Sequence, residues 1–69
     1  MEKRTKIIAT VGPVTASDEK LKELYQNGVN IIRFNFSHAD YVTAHDIANR
    51  IHILNTSGET NLSLLLDTK

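Results

Sequence analysis

GVNIIRFNFSH, residues 28–38, is the stretch on which the fold of this chain turns. Arg33, Asn35 and Ser37 alternate with Phe34 and Phe36. A period of two is the signature of a strand, whose successive side chains point to opposite faces. Two phenylalanines on one side require that side to be buried. The other side then presents a planar cation, an amide and a hydroxyl from a rigid support.

Working outward, Lys6 to Val11 is a short apolar, β-favouring run stopped by Gly12-Pro13, which predicts a strand and a loop. Ser17 is a good helix N-cap. Asp18 and Glu19 follow in the first turn, where the helix dipole favours acids. Leu21, Leu24 and Tyr25 give that helix an apolar stripe, and Asn27-Gly28 ends it. The second strand is expected over residues 29–36. A second helix is expected over 40–56, with Ala44, Ile47, Ala48, Ile51 and Leu54 at helical spacing. Ser57-Gly58-Glu59 breaks it. Leu62 to Leu66 reads as a third strand, so apolar that it suits a sheet covered on both faces.

The expected fold class is therefore α/β: a βαβαβ unit with parallel strands and right-handed crossovers. Two helices cover one face of such a sheet and not both. The unit reads as the first part of a larger domain, and residues 1–69 as one partial domain.

Size and composition agree. A chain of 69 residues is one small domain at most. It buries only roughly 60% of its unfolded surface. There is no cysteine, so neither disulfides nor thiolate metal ligands are available. Eight basic residues balance eight acidic ones, which argues against a nucleic-acid binder. The longest apolar runs, Ile7-Ile8-Ala9 and Leu64-Leu65-Leu66, fall far short of the ~20 residues of a membrane span. The amino terminus lacks the apolar core of a signal peptide, and a cytoplasmic location is expected. The Asn-x-Ser sequons at Asn35, Asn55 and Asn61 read as chance matches.

In parallel α/β folds ligands gather outside the carboxyl ends of the strands. The rim here would carry Thr10, Gly12 and Pro13 from the first strand. Arg33, Asn35 and Ser37 come from the second, and Asp67, Thr68 and Lys69 from the third. Arg33 offers a fork suited to phosphate or carboxylate. Asn35, Ser37, Asp67 and Thr68 offer oxygens, which suit a hard cation. With one formal charge among the four, a monovalent ion or a site completed by substrate oxygens fits best. The rival reading is that these residues merely end strands and cap helices, positions that select the same residue types. His38, His45 and His52, spaced by seven, would lie ~10.5 Å apart along a helix, too far to share a metal. No phosphate-loop motif is present.

Three blocks together resemble the amino-terminal part of the pyruvate kinase family. They are Thr5-Lys6-Ile7-Ile8-Ala9-Thr10-Val11-Gly12-Pro13, then Gly28 to His38, then Leu66-Asp67-Thr68-Lys69. The resemblance implies a (β/α)8 TIM barrel, of which this chain holds about three strands, and transfer of the phosphoryl group of phosphoenolpyruvate to ADP in glycolysis, giving pyruvate and ATP. It implies that Arg33 contacts the substrate and the moving phosphoryl group. Asn35, Ser37, Asp67 and Thr68 match the family's potassium ligands, and Asn35, Phe36, Ser37 and His38 match part of its nucleotide site. Magnesium is implied as well, with ligands outside this segment. The proton-delivering lysine also lies elsewhere, so no catalytic residue is expected here and the 69 residues alone should be inactive. A homotetramer is implied for the full-length family member. Many members have glycine after the Ser-His pair, where this chain has Ala39, a departure that bears on the turn into the second helix and is expected to leave the site in place. Two other readings compete. One is a non-catalytic assembly module that pairs its exposed sheet edges with another subunit. The other is a different phosphoenolpyruvate-using barrel, which should lack the Arg33-x-Asn35-x-Ser37-His38 block.

Overall fold

A computed structural model describes residues 6–12 and 16–68. The expected rim contributions of Pro13 and Lys69 lie outside these. The elements follow in the order β1 (Ile8–Val11), α1 (Asp18–Gln26), β2 (Ile31–Phe36), a 3-10 turn (His38–Asp40), α2 (Tyr41–Thr56) and β3 (Ser63–Thr68). The sheet is parallel with order β1-β2-β3, so β2 is central and the predicted βαβαβ unit is present.

Register sorts the side chains into two faces. Ala9, Ile32 and Leu64 form one row, and Val11, Phe34 and Leu66 the next. Both rows face the helices, as does Phe36. Against them pack Leu21 of α1 and Ala44, Ile47, Ile51 and Leu54 of α2, all buried. Each fully buried large side chain contributes about 1.5–3 kcal/mol. Phe34, Leu21, Ile32 and Ile47 are the largest of these. The other face carries Ile8, Ile31 and Ser63, then Thr10, Arg33 and Leu65, then Asn35 and Asp67. The third strand was expected to be covered on both sides. Among the described residues only its helical side has a covering layer, and Leu65 stands 47% exposed on the open face.

Both helices end in the same way. Gly28 and Gly58 have φ of 98° and 86°, a left-handed conformation that suits glycine. Gly28 N–H bonds the Tyr25 carbonyl at 3.0 Å and Val29 N–H that of Leu24 at 3.0 Å. Gly58 N–H bonds Asn55 at 3.1 Å and Glu59 N–H bonds Leu54 at 3.1 Å. These paired 5→2 and 6→1 bonds satisfy the last helical carbonyls. They also explain one boundary difference. Val29 gives its N–H to α1, so β2 starts at Ile31 and not at residue 29. At the other end, Asp67 and Thr68 pair with Asn35 and Phe36, so β3 runs on past Leu66 to Thr68.

The remaining shifts are local. β1 is shorter than the expected 6–11, because Ile7 hands its carbonyl to Asn30 and Ile31 at the foot of the sheet. α2 begins after a 3-10 turn and not at Asp40. Ala39 sits inside that turn. No described non-glycine residue has a positive φ, so alanine is accommodated there without left-handed strain.

Candidate functional site at the carboxyl rim

Parallel pairing brings the carboxyl ends of β2 and β3 together. Asn35 and Asp67 are register partners on the open face, and Arg33 lies one row below on the same face. The Phe34 and Phe36 rings hold this strand from behind. Their planes are parallel, with centroids 6.0 Å apart, and Phe36 meets Tyr41 at 5.6 Å.

Arg33 Nη2 donates to Asp67 Oδ2, a charge-assisted pair joining the predicted anion-binding and cation-binding residues. Both side chains remain about two-fifths exposed. Arg33 Nε is buried with no partner among the described residues. The guanidinium therefore keeps donor capacity beyond the bond to Asp67. The Asn35 amide makes no side-chain hydrogen bond within the described residues, and its position beside Asp67 leaves its oxygen available at the rim.

Ser37 lies just beyond the strand, its backbone still extended at φ −107° and ψ 179°. Its N–H and its Oγ both donate to Asp40 Oδ2, each at 3.1 Å. With its proton pointed at Asp40, the hydroxyl retains acceptor capacity on its oxygen. Sequence reasoning placed Asp40 only at the start of a helix. The Ser37-x-x-Asp40 spacing is the signal that identifies it as the residue orienting Ser37. His38 is exposed and meets the edge of Tyr41 at 4.7 Å.

Two predicted residues point elsewhere. Phe36 is buried on the helical side, so at the rim it offers only its main chain. The Thr68 side chain shares the row of Phe36, opposite to Asp67, which leaves its main-chain carbonyl as the oxygen near the site. Thr10 is the register partner of Arg33 on β1 and is exposed, and Gly12 follows just past that strand.

As a donor set the rim holds an amide oxygen, an oriented hydroxyl and one carboxylate already offset by a guanidinium. With a single carboxylate, that donor set is chemically closer to what a singly charged hard cation needs than to what a divalent ion needs. His45 and His52 are exposed on α2, and no cluster of three or more His, Cys, Asp or Glu occurs among the described residues. The Asn55 sequon is structurally committed, since its amide bonds Leu62 and Thr60 within the chain. No described helix is long and apolar enough to cross a membrane.

The fold and rim define a parallel βαβαβ unit with an oxygen-rich, arginine-bearing carboxyl edge. The family model of the pyruvate kinase barrel domain matches residues 2–69. A pyruvate kinase of Geobacillus stearothermophilus is 41% identical over 70 aligned residues, covering 100% of this chain and 12% of that protein. One of Chlamydia pneumoniae is 41% identical over 96% of this chain and 14% of its own length. One of Spiroplasma citri is 44% identical over 97% of this chain and 35% of its own length. The chain belongs to the pyruvate kinase family, and it spans a minor part of the length of these relatives. Its three strands are the opening part of the barrel.

Proposed function

We propose that this segment supplies half of a substrate and cation site in an enzyme that moves the phosphoryl group of phosphoenolpyruvate to ADP. The observation that carries the reading is the convergence of Arg33, Asn35 and Asp67 on one open face at the carboxyl rim. Phosphoryl transfer depends mainly on positioning and on stabilising charge over the moving oxygens. Arg33 suits that role as a permanently charged fork. Asn35, Ser37, Asp67 and the Thr68 carbonyl would hold potassium, whose bound charge would add to the field at the transferring group. Residues 35–38 would border the nucleotide. The magnesium ligands and the proton-delivering lysine belong to other parts of the barrel, so the 69 residues alone are inactive. The reading places the intact enzyme in glycolysis, in the cytoplasm, as a homotetramer.

The test is a graft. Residues 2–69 replace the matching stretch of the Geobacillus stearothermophilus relative, and turnover is followed with and without potassium. Arg33→Lys in the graft should lower kcat by about 10²–10³-fold, the scale of losing one preorganised charge donor. Full activity of that variant would sink the assignment of Arg33. Turnover by the pure 69-residue chain would refute its inactivity.

A further inference from the structure

β3 has a phase problem. Leu64, Leu65 and Leu66 are consecutive, so hydrophobicity alone does not say which of them faces the helices. Burial near the rim hardly discriminates either. Leu66, on the helical face, is 44% exposed, and Leu65, on the open face, is 47% exposed. A one-residue slip over this part of β3 would exchange nearly equal leucines. A slip towards the rim would also turn Asp67 away from Arg33 and bring Leu66 round in its place opposite Asn35.

The answer lies at the other end of the strand. The Asn55 side chain reads the main chain of Leu62 from both sides. Its Nδ2 donates to the Leu62 carbonyl at 2.8 Å, and its Oδ1 accepts from the Leu62 N–H at 2.9 Å. The same oxygen accepts from Thr60 Oγ1 at 2.7 Å, which fixes the orientation of the amide. Thr60 and Leu62 are both buried, at 5% and 4% exposed. The next residue, Ser63, donates its N–H to the Asn30 carbonyl at 3.0 Å and so enters the sheet. The clamp thus acts one residue before pairing begins, about 16 Å of strand from Asp67.

We propose that Asn55, oriented by Thr60, is the positioning residue that sets the phase of β3, and thereby brings Asp67 to face Arg33 and Asn35. It touches no rim residue; it acts through the backbone of Leu62. The consequence for catalysis rests on the phosphoryl-transfer reading, whereas the phase itself is measured without turnover, so either can fail alone.

The chain has no cysteine, which permits a clean cross-linking test on the 69-residue chain. One version carries Asn35→Cys with Asp67→Cys, and a second carries Asn35→Cys with Leu66→Cys. Register partners ~4.8 Å apart fall within disulfide reach, whereas Leu66 points to the other face unless β3 slips. Each version is oxidised with Asn55 intact and as Asn55→Ala, Thr60→Val or Thr60→Ser. With Asn55 intact the 35–67 link should dominate. Asn55→Ala should lower the ratio of 35–67 to 35–66 links by roughly tenfold or more, as expected for two lost hydrogen bonds. Thr60→Val should lower it less, and Thr60→Ser, which keeps the hydroxyl, should leave it unchanged. A plain loss of stability would reduce both links together and leave the ratio alone, and that result overturns the proposal. If Asn55→Ala loses its helical circular dichroism, Thr60→Val decides: an unchanged ratio there also overturns it.

Discussion

Arg33 and Asp67 neutralise each other across β2 and β3 while staying about two-fifths exposed. At that exposure solvent screens the pair, and its contribution to folding is about 0–1 kcal/mol. Asp67→Asn should therefore move the urea unfolding free energy of the chain by less than ~1 kcal/mol. In the grafted enzyme the same change should abolish the response to potassium, read as the difference between turnover with and without the ion. Glu59 makes a second residue-scale prediction. A hydrogen bond from Lys22, then one from Ser57, then the Lys22 charge hold its carboxyl below the ordinary value of 4.5. The lowered value means that this contact stabilises the fold above the ordinary glutamate range and is lost as pH falls through the folded value. Carboxyl chemical shifts should show a Glu59 midpoint below 4.5 that rises in Lys22→Gln. An unchanged midpoint would show that Lys22 does not set it.

Among the elements, β2 carries the fold. Phe34 is 1% exposed and sits between the helices and the central strand. Phe34→Ala should cost about 3–5 kcal/mol. A domain of this size has a total of roughly 3–10 kcal/mol, so denaturant curves should show most of the stability gone. Val42→Thr on α2, at an 83% exposed position, should stay within about 0.5 kcal/mol. Gly58 offers a purely conformational test, because a Cβ there would meet nothing within 4 Å. Gly58→Ala should still cost about 1–2 kcal/mol, from its φ alone. Much at this scale was legible beforehand. The Phe34-x-Phe36 alternation, the Ser17 cap and the Gly28 stop each depend on a few adjacent residues. The boundaries at residues 29, 40 and 67 were not. They depend on which backbone groups find partners in another element, and that is a property of the packed chain.

At the scale of the whole molecule, the described residues form a sheet with one covered face. Ile8 and Leu65 stand 53% and 47% exposed on the other face, and β1 and β3 are both edges among the described residues. Such edges and apolar surface favour pairing between chains. The 69-residue chain should self-associate in a concentration-dependent way, read by light scattering on a sizing column. Leu65→Lys, which puts a charge on the open face, should shift it towards monomer. A chain that stays monomeric at high concentration would count against this reading.

The order of strands and helices, the buried aromatic side of β2 and the residues able to form a rim were determined by the sequence alone, because each follows from spacing within a dozen residues. Tertiary structure alone decided that Arg33 bonds Asp67, that Asp40 orients Ser37, and that Thr68 turns its side chain from the rim. Residues 34 apart meet only after the crossover closes. The phase of a strand written Leu-Leu-Leu is decided by what holds its backbone, here the amide of Asn55 on Leu62.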